Sequence, residues 1–382
     1  MAVTDVRTTG LDAAWDALNA ESFYTGGPWL RAFAERGGMH PHVAWSDDGS
    51  AAALAYDARS DATNPRYTHA WLYEDALRTP VEAFTLLGGC SGYAGHLPAA
   101  PGASAAARRA PVRALLDALG HDAALLPHLT GEEAADVVAA GVLPGRPVPV
   151  LGMVTAAIDL RGMTTPEDHL ASLSRTSRSG VRRDLRRIEA SGVRVTTSGL
   201  AEVVDEVAPL LGQVQAHHGH DGSAEGAAAY LRLCAHGDLA RHAFAVVARL
   251  DGEAVAFALG YRWGSGVAMR VSGLRYDVAA ATGAYFATYF YEPVRIALEA
   301  GCTWVDLGGE ALESKTRRGA HLVPRWALSV GADVDPAAAR EVTRARLADL
   351  HAQVGDRADQ ARLDAWDAWH ARLAGTSPSP AR

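Results

Sequence analysis

The stretch from Asp277 to Ala320 reads DVAAATGAYFATYFYEPVRIALEAGCTWVDLGGEALESKTRRGA, and it holds the only lysine among the 36 lysines and arginines of the 382-residue chain. Its first part spaces Tyr285, Tyr289, Val294 and Leu298 like the apolar side of one long helix, expected from about Thr282 to Ala300. Cys302 to Leu307 is a short apolar run suited to a buried strand. Gly308, Gly309 and Gly319 bracket a loop at its carboxyl end, and in open α/β sheets that end is where ligands bind. Lys315 lies in this loop. Arginine is a planar fork that stays charged, whereas lysine is a compact charge on a flexible stem that can hold a developing oxyanion or trade a proton. Lys315 is therefore the first catalytic candidate. Asp306 and Glu310, the carboxylates of the same stretch, come next. The plain alternatives are a surface lysine kept by chance, a turn cap at Asp306 and a solvated carboxylate at Glu310.

Upstream lies a three-stranded meander: Ala243 to Leu250, an Asp251-Gly252 turn, Glu253 to Trp263, and Gly266 to Leu274. Arg270, Arg275 and Tyr276 fall at the far end of its last strand. Before the meander two helices are expected, Glu202 to Ala216 and Ser223 to Cys234, joined by HHGHDG. His217, His218 and His220 lack the spacing of paired metal ligands, so the loop reads as titratable side chains facing a substrate. Earlier still, Met153 to Leu160 is a strand, and Thr165-Pro166-Glu167-Asp168 supplies an N-cap, a proline and first-turn acids. One helix is expected from there to about Ala190. It carries RTSRSGVRRDLRR, and spacings of three and four place Arg175, Arg178, Arg182 and Arg186 on one face. Two readings stand side by side: a phosphate-binding face, or a solvated face partly answered by Asp184 and Glu189.

The first part of the chain is less explicit. Residues 11 to 35 read as helix interrupted around Thr25 to Pro28, and His42 to Trp45 with Ala51 to Tyr56 read as a hairpin around Asp47-Asp48-Gly49. A strand at Phe84 to Leu87 runs into the glycine-rich turn from Gly88 to Tyr93, which has neither GKS nor G-x-G-x-x-G. Pro111 to Leu119 and Gly131 to Ala140 read as helices around a strand from Ala123 to Leu126. Gly141 to Pro149, with three prolines and two glycines, is the expected domain boundary. The expected division is 1–145, 150–332, a helical segment over 335–375 and a disordered tail over 376–382. A net charge of −8 argues against a generally basic coat. Cys90, Cys234 and Cys302 are too far apart for metal spacing and read as packed, reduced thiols. The absence of an 18-residue apolar run and of a leader pattern leads to the expectation of a cytoplasmic protein without membrane insertion.

The order strand, helices, antiparallel meander, helix, strand, loop, strand resembles the GNAT acyltransferase fold. In detail the second half is similar to the Fem-like branch, in which two GNAT units are fused in one chain. The likeness rests on a helix ending in Glu299-Ala300-Gly301, a strand ending in Asp306-Leu307-Gly308, a lysine six residues after Gly309 followed by glycine, and the arginine-rich helix before Gly192-Val193. It is clear over 151–330 and fainter over 20–145. The aromatic residue expected just before the lysine is Ser314 here. The resemblance implies a mixed α/β (α+β) fold: two tandem GNAT-like domains, each a mostly antiparallel twisted sheet flanked by helices, plus C-terminal helices.

It also implies an amide-forming acyltransferase. Fem ligases take the acyl group from aminoacyl-tRNA, ordinary GNAT enzymes from acyl-CoA. GNAT enzymes meet the pyrophosphate of CoA with a Q/R-x-x-G-x-G/A loop at a helix N-terminus, and the corresponding turn here, Asp277 to Ala284, has one glycine and neither Gln nor Arg at its start. On this reading Lys315 holds the oxyanion and Asp306 or Glu310 handles the acceptor amine. Arg175, Arg178, Arg182, Arg186, Arg270 and Arg275 meet a phosphorylated donor, and His217, His218, Tyr276 and Tyr285 line the acceptor side. Neither a metal nor a resident cofactor is expected. Two other readings remain open: acyl-CoA-dependent acylation of a small amine, and a non-catalytic RNA-binding scaffold on a degenerate GNAT pair.

Overall fold

The computed structural model describes residues 4–5, 10–34, 39–355 and 360–374. The tail from Thr376 to Arg382, expected to be disordered, lies outside them. The chain forms two compact units: Met1–Thr155 with Leu322–Arg382, and Ala156–His321. Among the described residues there are twelve strands: β1 (Thr4–Asp5), β2 (Pro41–Trp45), β3 (Ala52–Arg59), β4 (Ala83–Leu87), β5 (Ala124–Leu129), β6 (Val148–Asp159), β7 (Arg194–Ser198), β8 (Ala243–Leu250), β9 (Glu253–Trp263), β10 (Gly266–Leu274), β11 (Trp304–Asp306) and β12 (His321–Val330).

The two units repeat one topological theme. In the first, the sheet order is β1-β2-β3-β4-β5-β12; β2, β3 and β4 are an antiparallel meander, β5 lies parallel to β4, and β12 is antiparallel to β5. In the second, the order is β6-β11-β10-β9-β8-β7; β8, β9 and β10 are the meander, β11 lies parallel to β10, and β6 is antiparallel to β11. A helical crossover joins the parallel pair in each unit, Ala105–Leu119 in one and the helical run from Ala284 to Glu299 in the other. Helices flank the strands of both units, as the mixed α/β expectation requires. The structure groups β12 with the first unit, and β6 begins at Val148, inside the Gly141–Pro149 stretch.

In the second unit the meander strands fall at the sequence-derived bounds. Turn chemistry is the reason: Asp251 (φ 53°) and Gly252 (φ 90°) both take left-handed conformations, the two-residue turn that matches strand twist. Ala248, Val255, Ala256 and Ala284 form a buried cluster backed by Val193, Val195, Leu250, Leu274 and Val278, which ties the start of the crossover helix to the meander.

Two helices depart from expectation. The helix expected from Thr165 to Ala190 is two, Pro166–Ser172 and Arg175–Ala190, because the Ser174 side chain accepts from the Ser177 amide (3.2 Å) and starts a second helix. The long helix expected from Thr282 to Ala300 starts at Ala284 instead, after a separate short helix Tyr276–Thr282 that ends at left-handed Gly283, and it carries a π-helical segment Ala287–Tyr291 before continuing as Glu292–Glu299. Pro293 has no N–H to return to Tyr289, so the ladder must widen just before it.

Candidate active site

The two parallel strands of the second unit part company at the site. Pairing of β10 with β11 covers Gly266↔Trp304, Val267↔Val305 and Ala268↔Asp306. Beyond it β10 continues to Leu274 along β9, with a register shift at Arg270. The residues after β11 turn the other way: the Leu307 amide donates to Ala156 O (2.8 Å), and the Ala156 amide donates to Gly308 O (3.0 Å). The backbone therefore opens after Asp306.

Lys315 sits at this opening, in the short helix Leu312–Thr316. Its ammonium donates to Leu307 O (2.5 Å) and Gly308 O (3.1 Å), and it lies 5.7 Å from the centre of the Tyr289 ring. Tyr289 donates its hydroxyl to the same Leu307 carbonyl (2.9 Å). Only 3% of Lys315 is exposed. Burial lowers its pKa to about 8, while the nearby Asp306 and Glu310 carboxylates act in the opposite direction. Two of its three N–H bonds are on backbone carbonyls.

Asp306 is buried and accepts from the Gly308 amide (2.8 Å). It therefore does cap the turn, and it also contributes charge beside Lys315. Glu310 is exposed and lies within electrostatic reach of both Lys315 and Tyr285. Burial pushes the Tyr285 hydroxyl up to about 12, with Arg318, Glu310, Ser314 and Tyr276 around it. Tyr285 also stacks on Tyr289 at 5.6 Å. Across from it Tyr276, 40% exposed, meets the His217 ring at 4.5 Å, and His217 touches His218 edge-on at 5.4 Å.

Of the candidates, Lys315, Asp306, Glu310, Tyr285, Tyr276 and His217 thus form one connected group, joined by His218 at its margin. Arg275 pairs with Asp277 (3.3 Å) at the start of the short helix, and Arg270 donates to the Tyr230 hydroxyl (3.1 Å) on the helix Ala224–Cys234. Both are already engaged with side chains of their own unit. Among the described residues no group of His, Cys, Asp or Glu could hold a metal ion.

The arginine helix behaves differently on its two sides. Arg175, Arg178, Arg182 and Arg186, with Ser179 and Leu185, line an open groove of about 930 Å³. Arg178 also donates to Ala171 O and Leu173 O (both 2.8 Å), clamping the break between the two helices. Leu185 is 42% exposed in the midst of these charges. Asp184, expected to help neutralise the outer face, does not: it is buried and accepts from Arg318 (2.5 Å), Tyr291 (2.8 Å) and Arg187 (3.0 Å).

The same helix covers the turn before the crossover. Gly283 has φ 76°, and a β-carbon there would meet Ile188 Cγ1 at 3.1 Å and Arg187 Nε at 3.2 Å. Its amide is spent on Ala279 O (3.0 Å). Sequence reading missed Arg318, Tyr289 and Tyr291 as polar parts of this region. Tyr289 falls on the apolar stripe of the helix, while Tyr291 and the Arg318 of Arg317-Arg318-Gly319 carry no spacing signal in the sequence.

Residues 175–316 match the family model described as an acetyltransferase (GNAT) domain. Comparison with curated protein sequences returns no match. Among solved structures, a conserved protein of unknown function from Bacteroides thetaiotaomicron is 14% identical, covering 86% of this chain and 99% of its own, with a TM-score of 0.56. FemX is 13% identical over 86% of this chain and 97% of its own, with a TM-score of 0.55. The C-terminal domain of an Agrobacterium fabrum protein named for lysylphosphatidylglycerol synthetase is 13% identical over 88% and 94%, with a TM-score of 0.51. These likenesses concern the fold, and no helix among the described residues is long and apolar enough to cross a membrane. Residues 175–316 thus match a GNAT acetyltransferase domain, and over most of its length the chain shares the fold of FemX.

Proposed function

We propose that the chain is an amide-forming acyltransferase that moves an aminoacyl group from aminoacyl-tRNA to the amine of a small molecule or peptide precursor. The acceptor nitrogen attacks the ester carbonyl, a C–N bond forms, and the ester C–O bond breaks. The proton lost by the amine ends on the departing ribose oxygen. Lys315 donates its remaining N–H to the oxyanion of the tetrahedral intermediate, in a buried place where such a bond counts for more than in water. Glu310, exposed beside Tyr285, receives the amine proton. Tyr276, Tyr285 and His217 wall the acceptor side.

The observation that carries the choice of donor is the covered turn at Gly283. At the turn where a CoA pyrophosphate would meet backbone amides, the space that a β-carbon on Gly283 would take lies against Ile188 and Arg187 and the Gly283 amide is spent on Ala279 O, while four arginines face outward on the other side of that helix. A polyphosphate backbone suits that outer face. FemX and the protein named for lysylphosphatidylglycerol synthetase, an aminoacyl product by name, share the fold. Calorimetric titration with CoA and acetyl-CoA at low salt is expected to show no binding. Micromolar binding would refute the tRNA donor and favour the second reading, acyl-CoA-dependent acylation of a small amine, which the family model's description as an acetyltransferase supports.

A pH profile follows from Lys315. The donating form is the ammonium, so turnover with a saturating donor is expected to fall as pH rises through about 8. The acceptor works the other way, since more of it is free amine at high pH. A rate that keeps climbing past pH 9 would show that Lys315 is not the donor to the transition state.

A further inference from the structure

We propose that Asp184 is a positioning residue for Lys315, acting through Arg318, so that the helix bearing the arginine face also sets the geometry of the ammonium. The inference rests on the reading of Lys315 as the oxyanion donor. Asp184 does not touch Lys315; the link runs through bonded neighbours. The Arg318 amide donates to Lys315 O (3.0 Å), as does the Ala320 amide (3.2 Å), and Arg318 Nη1 donates to Ser314 O (2.9 Å). Arg318 thereby closes the turn that carries Lys315. Its guanidinium lies 3.3 Å over the Phe286 ring and 5.3 Å from that of Phe290, and its Nη2 donates to Asp184 Oδ2 (2.5 Å).

Asp184 is itself held on both oxygens. Tyr291 donates to Oδ2 (2.8 Å) and Arg187 Nη2 to Oδ1 (3.0 Å). Asp184 is 6% exposed and Arg318 8%, so the pair is not spare charge on a surface. A buried carboxylate with three donors is fixed in place, and a buried guanidinium that loses its counter-ion must move. Movement of Arg318 pulls on Ser314 O and on the chain at Lys315, which places the ammonium against Leu307 O and Gly308 O. The outward arginines, Arg175, Arg178, Arg182 and Arg186, belong to the same helix as Asp184 and take no part in this link.

Two variants test it, Asp184→Asn and Arg318→Lys. The first keeps shape and removes charge. The second keeps charge and removes the planar fork that reaches Asp184 and Ser314 O together. Both are expected to lower kcat about 10- to 100-fold, on the scale of one misplaced transition-state donor, with KM for aminoacyl-tRNA and the affinity for uncharged tRNA within about two-fold of wild type. Amide hydrogen exchange over 312–320 should quicken at least ten-fold, and more than elsewhere in the second unit.

Exchange unchanged over 312–320 in a folded variant overturns the proposal. So does quickening spread evenly over the unit, or a loss of donor affinity that matches the loss of kcat. If Asp184→Asn does not fold, Arg318→Lys alone decides. Should the wild type show no turnover with any aminoacyl-tRNA, the function reading fails while the exchange experiment still accepts or rejects the link from Asp184 to the Lys315 turn.

Discussion

Lys315→Met is expected to lower turnover about 100- to 1000-fold while leaving a folded protein, the loss typical of one preorganised oxyanion donor. Methionine fills roughly the same volume, so the change removes charge and donors with little change in packing. The two carbonyls it abandons keep other partners: Leu307 O retains the Tyr289 hydroxyl, and Gly308 O retains the Ala156 amide. The fold should therefore survive. Near-normal turnover in the folded variant would sink the central assignment.

Stability offers a second signature of the same residue. Burial lowers the Lys315 pKa from 10.5 to about 8, so between those values the unfolded chain binds more protons than the folded one. Unfolding free energy from this group therefore rises with pH in that window, by about 1.4 kcal/mol per pH unit, and the contribution is complete above 10.5. Urea unfolding at pH 8 and 9.5 should show this slope as the difference between wild type and Lys315→Met. Equal pH dependence in the two proteins would mean that folding does not lower the Lys315 pKa.

The arginine face is expected to give the second large effect. Replacing Arg175, Arg182 and Arg186 together by glutamine should weaken tRNA binding about 100-fold near physiological salt, and should reduce the slope of log affinity against log salt by about 2 to 3, since each phosphate neutralised contributes about 0.7 to 0.9. Arg178 is left out because it donates to Ala171 O and Leu173 O and so holds the helix start; its loss would mix folding with binding. Filter binding across a salt series reads both quantities. An unchanged slope would place the nucleic acid elsewhere, and Leu185, exposed among the arginines, would then need another partner. Binding with the expected slope but no turnover would favour the scaffold reading.

Much of the second unit was legible from local rules. The meander follows from alternation and from a two-residue Asp251-Gly252 turn, one helix start follows from the cap at Thr165, and Lys315 follows from a strand that ends in glycine. Each of these depends on residues within a few positions of one another. The helix break at Ser174 and the widening before Pro293 were also within reach, since a serine cap and a proline each act locally. They were overridden by the length of the periodic pattern around them.

What the sequence by itself determined is the order of elements, the arginines that share one helical face, and the presence of one lysine among arginines at a strand end, because periodicity and turn chemistry are short-range. Only the tertiary structure decided which way Asp184 turns and what receives the Lys315 ammonium. Asp184 and Arg318 are 134 positions apart, and no spacing rule reaches that far. Whether an aspartate in an arginine-rich helix answers its neighbours or is buried against a distant guanidinium depends on the desolvation and hydrogen bonding that the packed unit offers it.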